Sequence, residues 1–358
     1  MNERQEILRR RLEALGFDEV RFASLQPRPA GGLRAWLAAG YQADMGWMER
    51  TAEKRLDPQR VLPGAVSVIA LGVNYWSERR PEGQGRAAPV WARYALHRDY
   101  HDTFKPALVA AGKAIEESLG AADSDYRYYA DTGPVLERGW AARAGLGFIG
   151  KNAMLISRQH GNWLLLGAIL TRLPLEADPP PGQKHGDDVG VYCGKCTRCL
   201  GACPTQAFPA PGVVDSRRCI SYQTIENRGH IPEELRPGIG LRVFGCDVCL
   251  DVCPWNRFAR EGRRTLLAAR EEITRLSLRD LLELTPDRFR QAFKGTPIFR
   301  GKLAGLLRNA CVAAGNSGDT GLLGPLQALA QHESEIVREH ARWAIGRLQG
   351  VAEAGGGA

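Results

Sequence analysis

Eight of the nine cysteines in this 358-residue chain lie between positions 193 and 253, and their spacing leaves that segment few things to fold around. Cys193, Cys196, Cys199 and Cys203, the last followed by Pro204, give C-x2-C-x2-C-x3-C-P. This is the ligand spacing of 4Fe–4S clusters. Three thiolates on one tight loop reach three irons of a cube, and the fourth, just before proline, turns to a second cube. A second set follows in Cys246, Cys249 and Cys253-Pro254. A regular repeat would place its first cysteine at position 243, where Val243 stands, so Cys219 completes the count. The spacing assigns Cys193, Cys196, Cys199 and Cys253 to one 4Fe–4S cluster and Cys203, Cys219, Cys246 and Cys249 to another. A pair of zinc sites or a disulfide framework are the alternatives. Zinc ribbons pair two C-x2-C units and have no use for two C-x3-C-P endings. The ninth, Cys311, falls in a helical apolar pattern and reads as a small core residue.

Thiols gathered in one segment serve a local site, not a chain-wide disulfide scaffold, which implies a reducing, cytoplasmic setting. The N-terminus lacks an apolar run of signal-peptide type. The longest apolar stretch, Trp163 to Leu170, is too short to span a bilayer, so no membrane association is expected. Net charge is +8, and between Arg257 and Arg347 there are 16 Lys plus Arg against 10 Asp plus Glu. Fourteen of those cations are arginine, whose planar fork suits phosphate. A solvated helical face is the ordinary meaning of such charge, and RNA binding competes with it.

Ahead of the cysteines, helices and strands interleave. Ile7, Leu8, Leu12 and Leu15 repeat at helical spacing, and a short helix carries Leu33, Trp36 and Leu37. Residues 66–73 read as a strand buried on both faces. Phe104 to Leu119 predicts a long helix ending at Gly120, Tyr126 to Ala130 a strand, and Pro134 to Ala144 a helix. Met154–Ser157 and Trp163–Thr171 predict a hairpin. Pro27–Gly32 and Arg79–Pro89 read as loops, and Pro174–Asp188 as a polar connection. Beyond Trp255 three helical stripes follow, centred on Leu303–Ala314, Leu322–Leu329 and Ile336–Leu348, the pattern of a HEAT-like module.

Three further stretches carry chemistry-bearing residues. Gly145-Leu-Gly147-Phe-Ile-Gly150 matches a dinucleotide fingerprint by letters, but a helix precedes it where a strand is required. Its glycines read as sites of close backbone approach. Asp131 stands where a strand ends and a helix begins, as a turn residue or as a general acid. Trp91 to His101 concentrates titratable and aromatic groups before a helix, a polar turn in the ordinary reading.

Taken together, Asp131-Thr-Gly-Pro-Val, Ala144-Gly-Leu-Gly-Phe-Ile-Gly-Lys-Asn152, Arg93-Tyr94, Arg98-Asp-Tyr-His101, the offset cysteines and the helical tail resemble the epoxyqueuosine reductase family. The resemblance runs from Trp36 through Leu348. It implies an α+β chain in three domains: a nitroreductase-like cobalamin-binding domain over residues 1–180, a ferredoxin-like double-cluster domain over 181–260, and a HEAT-like tRNA-binding domain over 261–350. A disordered tail at 351–358 completes the division. The implied reaction reduces the epoxide of epoxyqueuosine at the tRNA wobble position, with cob(I)alamin as nucleophile and electrons relayed through the two clusters. The sequence has no D-x-H-x-x-G corrinoid motif, in keeping with the histidine-free cobalt of that family. Asp131 resembles the family's proton donor, for which a protonated carboxyl would suit. Arg55, Tyr94, Asn152, Leu155, Ser221 and Asp247 fall in stretches resembling its corrinoid-contacting segments. The implied partners are tRNA carrying epoxyqueuosine and a low-potential donor of flavodoxin or ferredoxin type, with the chain itself a monomer. A reductive-dehalogenase-like enzyme acting on a small molecule, or a ferredoxin-type carrier fused to an RNA-binding module, are the competing readings.

The cysteine assignment makes a direct prediction. Anaerobic reconstitution should load about eight iron and eight sulfide per chain, and Cys311→Ser should leave that count unchanged. Zinc in place of iron, at one ion per four cysteines, would refute it.

Overall fold

The computed structural model describes residues 3–26, 32–77, 87–179, 188–263 and 265–355. The apolar run Ser67–Asn74 is buried at every position and forms a central strand. Glu19–Ser24, Ser67–Asn74, Leu164–Thr171 and Tyr126–Tyr129 lie side by side in that order, each pair antiparallel. Side chains alternate between the faces of a sheet. On one face Ile69, Leu71 and Val73 meet Leu8 and Leu12 from the helix Glu3–Ala14, and Phe104 and Ile115 from the helix Tyr100–Leu119. On the other, Val68 and Ala70 meet Trp140 and Ala141 from the helix Glu137–Arg143. With both faces covered, the central strand carries an unbroken apolar run instead of an alternating one. The chain is a mixture of helix and sheet.

The expected hairpin is not formed. Leu155–Ile156 pairs with Phe148–Ile149, while Leu164–Thr171 joins the central sheet, and a single bridge at Ser157 and Gly161 links the two segments. An apolar run announces a strand but does not name its partner. The helix expected from Pro134 begins at Glu137. Asp131 adopts a left-handed backbone (φ 60°), and the Arg55 guanidinium donates to the Val135 carbonyl at 3.0 Å, so the preceding residues are held as a loop. The strand Glu19–Ser24 escaped notice because its Glu and Arg interrupt the apolar pattern. Residues 27–31, 79–86 and 180–187 of the expected loops lie outside the described residues. Among the described residues, no helix is long and apolar enough to cross a membrane.

Helices Lys302–Ser317, Leu323–Leu329 and Glu335–Gly355 stand where the three stripes predict them. The last continues through Gly355, into the segment read as a tail, and residues 356–358 lie outside the described residues. The expected boundary at 260/261 is not a gap in packing. Leu306, Leu307, Ala310 and Val337 share one core with Trp91, Leu96, Val243 and Phe244. Val90–Trp91 and Arg242–Phe244 pair in parallel beneath it. Position 243 therefore serves the helical core, where Val243 is fully buried and no thiol stands.

Polar bonds lock the same junction. Arg308 is 1% exposed and donates to the carbonyls of Gln223 (2.6 Å), Asn227 (2.8 Å) and Gly229 (2.7 Å). Burial lowers it to about 10, still cationic at neutral pH. Beside it Asn309 donates to the carbonyls of Thr224 and Val243, each at 2.8 Å. A tail so anchored is no detachable module, and truncation at Gly301 should disturb the cysteine segment. More sharply, Arg308→Met strands three buried carbonyls and should cost on the order of 3 kcal/mol, read as a lowered unfolding midpoint of the iron-loaded chain. A midpoint equal to that of the parent would show that these bonds contribute nothing.

Candidate functional site

Cys193, Cys196, Cys199 and Cys253 line one cavity of about 100 Å³, together with Lys151, Asn152, Ile156, Pro254 and Trp255. Charge on Cys253 raises both Cys193 and Cys199, after burial itself. Cys249 is raised by burial and then by Cys246, Cys219 and Cys203, so a second group of four converges as well. The structure thus brings the thiols together in the two sets assigned by spacing. Four thiolates on one zinc, at Zn–S of about 2.3 Å, stand about 3.8 Å apart. Among the described residues, His230, Glu339 and His340 alone bring three ligand-type atoms within 4.8 Å of one another. No three of the described thiols come as close together as that trio, and one zinc would hold them closer still. All nine cysteines are free of disulfides.

The histidine trio is not a metal site in its own right. His340 Nδ1 lies 2.7 Å from the Ile336 carbonyl and its Nε2 accepts from the Ile231 N–H, which uses both ring nitrogens. Glu339 accepts two bonds from Arg236.

Around the first four thiols the backbone is held from outside the loop. Lys151 Nζ donates to the carbonyls of Gly194 (2.7 Å) and Cys196 (3.0 Å). Asn152 is buried, and its amide donates to Asn162 Oδ1 at 2.9 Å and to the Cys249 carbonyl at 3.4 Å. The nearby glycines serve close approach: a Cβ on Gly147 would lie 2.4 Å from the Ile156 carbonyl oxygen. Burial drives the second set further, with Cys246 raised to about 11 and Cys249 well above its ordinary value. Such thiols ionise when a metal takes the place of the proton.

Beyond the second set lies an open site around Asp131, whose side chain is 64% exposed. The edge strand Tyr126–Tyr129 delivers Asp131 to the first turn of the helix Tyr100–Leu119. There Tyr100 Oη donates to Asp131 Oδ2 at 2.9 Å, and His101 Nε2 sits 3.2 Å from the same oxygen. His101 Nδ1 is 2.6 Å from Asp99 Oδ1, and Asp99 Oδ2 accepts from Arg300 Nε at 2.8 Å. Asp99 also caps its helix, accepting from the His101 N–H. The hydrogen bond from His101 chiefly holds the Asp131 carboxyl below the usual range, against burial. Burial opposes a charged His101, but its bonds to Asp131 and Asp99 outweigh that and raise it. Asp99, despite burial, is drawn down to about 2 by His101 and Arg300.

The remaining expected residues divide. Tyr94 and Asp247 border this site: burial raises the Tyr94 phenol first, followed by the charges of Asp131 and Asp247. Asp247 accepts from the Arg93 N–H at 2.8 Å and acts on Cys249, so it stands between that site and the thiols. Ser221 Oγ donates to the Cys246 carbonyl at 3.4 Å. Arg55 reaches the loop behind Asp131, Leu155 is buried under the sheet, and Asn152 lines the first cavity. Sequence reasoning picked out the stretch holding Tyr100 and His101 but gave neither a role at Asp131, and it passed over Arg300. Asp99-Tyr-His101 at a helix start, with aspartate as cap, was the available signal; Arg300 had none.

Residues 55–132 match the family described as "Epoxyqueuosine reductase QueG, DUF1730", and residues 192–256 match the "4Fe-4S double cluster binding domain". The epoxyqueuosine reductase of Xanthomonas campestris is 41% identical over 319 residues, covering 87% of each chain. That of Pseudomonas aeruginosa is 39% identical and covers 93% of this chain and 91% of its own. Among solved structures, epoxyqueuosine reductase with an epoxyqueuosine-modified tRNA-Tyr stem loop superposes with a TM-score of 0.83 at 29% identity, over 96% of this chain and 90% of that one. The Bacillus subtilis enzyme, solved with the loop of its catalytic aspartate swung out of the active site, gives a TM-score of 0.81 at the same identity and coverage. With a double cysteine constellation and an aspartate site behind it, and relatives this similar over nearly its whole length, the chain belongs to the epoxyqueuosine reductase family.

Proposed function

We propose that this chain reduces the epoxide of epoxyqueuosine, at the wobble position of tRNA, to the cyclopentene of queuosine. The observation that carries the reading is the placement of Asp131, through Tyr94 and Asp247, beside the second thiol set in a chain of this family. Cys193, Cys196, Cys199 and Cys253 hold one 4Fe–4S cluster, and Cys203, Cys219, Cys246 and Cys249 the other. The sheet-bearing part is the nitroreductase-like cobalamin domain, the cysteine segment the ferredoxin-like one, and the helical tail the HEAT-like part that meets tRNA.

One observation fits cobalamin to this site. Glu137 Oε1 is buried with no hydrogen-bond partner in the protein, an acceptor suited to the amide N–H groups at a corrin rim. Both ring nitrogens of His101 are engaged by aspartates, so this histidine would stay with its carboxylates when the group is bound. Tyr94, Ser221 and Asp247 would hold the group, while Arg55, Asn152 and Leu155 support the backbone around it. When bound and reduced, cobalamin supplies a nucleophile for carbon and carries the electrons the clusters deliver.

The net reaction takes up two electrons and two protons and releases the epoxide oxygen as water. The chain's own task is to deliver protons to that oxygen. The family resemblance leads one to expect a protonated carboxyl at Asp131, but the bonds from His101 and Tyr100 favour its ionised form, so the reading places the proton on the histidine. The proton resides on His101, between Asp99 and Asp131, and passes to the substrate oxygen by way of Asp131 Oδ2, with Tyr100 keeping that oxygen aimed.

Cells lacking this chain should accumulate epoxyqueuosine in place of queuosine in tRNA nucleosides analysed by liquid chromatography–mass spectrometry; unaltered queuosine would overturn the proposal. Asp131→Asn keeps the turn but not the proton path, and should slow single turnover from chemically reduced enzyme by about 10²–10⁴-fold, with normal iron and cobalamin content. A parental rate would return Asp131 to a turn residue. His101 is raised, so its charged form persists above the ordinary value near 6.5, and the rate should decline as pH rises through the raised value. In His101→Gln that alkaline decline should vanish along with most of the rate; a profile of unchanged shape would assign it to another group.

A further inference from the structure

Electrons must enter this protein from outside; all eight thiols of the two sets are half-buried, so it is the surroundings of each set that differ. Gly194, Lys195, Thr197, Arg198 and Pro254 are exposed between and beside the cysteines of the first set. The second set has exposed neighbours as well, Pro204, Arg217 and Arg218, but Cys246 and Cys249 sit among buried Phe244, Asp247 and Leu250, on the side of Asp131. The first cluster is thus the entry and the second the exit. We propose that the face around the first set is the docking surface for a small, acidic one-electron carrier protein, an inference that rests on the reductase reading above.

Two features of that face point to such a partner. Lys195, Arg198 and Arg257, next in sequence to cavity-lining Cys196, Cys199 and Trp255 or close to them, are exposed. Positive charge in that position steers an acidic protein and brings its redox group up to the thiols. Among the described residues, six large apolar side chains are exposed, and two of them flank this one cavity. Val189 is 49% exposed and packs on Gly212, whose N–H donates to the carbonyl of the cavity-lining Lys151. Phe258 is 38% exposed and packs against Trp255, another lining residue, at 5.5 Å. An apolar centre with a charged rim is the anatomy of a protein–protein contact. A nucleic acid would use the cations, but it would gain little from Val189 and Phe258 and has no need to approach the thiols. Each encounter moves one electron: the carrier is oxidised by one, the first cluster is reduced by one and passes it to the second. Two encounters supply the pair that removal of the epoxide oxygen consumes.

The test compares two reductants on the iron- and cobalamin-loaded chain with epoxyqueuosine-containing tRNA. The combined variant Lys195→Glu, Arg198→Glu, Arg257→Glu should lower kcat/KM for reduced flavodoxin on the order of tenfold or more at low salt, and less at high salt. Its rate with titanium(III) citrate, its iron content and its tRNA affinity should match the parent. Phe258→Ala, remote from every thiol ligand in charge, should show a smaller loss of the same kind, and it decides the matter if the triple variant binds less iron. Unchanged flavodoxin kinetics in Phe258→Ala and in an iron-replete triple variant would overturn the docking surface. So would a loss of tRNA affinity with flavodoxin kinetics intact, which would give the face to RNA. A parent chain inactive even with titanium(III) citrate would instead count against the reductase reading itself.

Discussion

Eight thiols converging on one short segment set the terms for everything else in this fold. Burial raises Cys219, Cys246 and Cys249, so without metal these side chains would stay protonated. Ligation to iron removes the protons and cross-links the loops, which makes cluster binding part of the folding free energy. The loops have little regular structure of their own; Arg198–Ala202 and Val248–Asp251 are single helical turns. They are held by bonds from distant parts of the chain instead. Lys151 and Asn152 grip them from the sheet side, Asn309 and Arg308 from the helical side, and Arg93 ties Asp247 through its backbone. The cysteine segment is a hub through which the two larger parts are joined.

That hub also explains what could be read from the sequence. Cysteine spacing is a local code, and the two sets it suggested are the two that the structure brings together. The long helix Tyr100–Leu119 and the strand Ser67–Asn74 carried strong periodic or unbroken apolar patterns with clear stops, such as Gly120 in its left-handed conformation. The partner of Leu164–Thr171 was illegible, because pairing is set by which faces are buried together over long separations. The continuity of the helical core with Trp91 and Phe244 was hidden for the same reason. Asp131 stood out through its neighbours in a motif. Arg300, 201 residues from Asp99 in sequence, could not have been linked to it by any local signal.

The site around Asp131 resolves a conflict between two demands on one carboxyl. A general acid must carry a proton, yet Asp131 accepts bonds from Tyr100 and His101 on a single oxygen, which favours its ionised form. The chain settles this by separating the tasks. In the proposed reaction Asp131 would face the substrate while its neighbour His101 carries the proton. Asp99 makes that storage stable: held at about 2 by His101 and Arg300, it stays ionised and keeps the imidazole charged. Tyr100 stacks on the His101 ring at 4.0 Å, so neither ring turns without the other.

Arg300 gives this arrangement a reach beyond that site. It belongs to the turn Pro297–Gly301, which leads into the helix carrying Arg308 and Asn309. The last link of the Asp131–His101–Asp99 chain is thus supplied by the helical part of the molecule, not by the sheet that bears the aspartate. Arg300 is half-exposed, so its pairing with Asp99 is worth little as a stability device. Its significance is geometric. A shift of the helical part relative to the sheet would move the guanidinium from Asp99, weaken the hold on His101, and alter the proton supply at Asp131. The hold on His101 thus depends on where the helical part stands relative to the sheet, since Arg300 comes from one and Asp131 from the other.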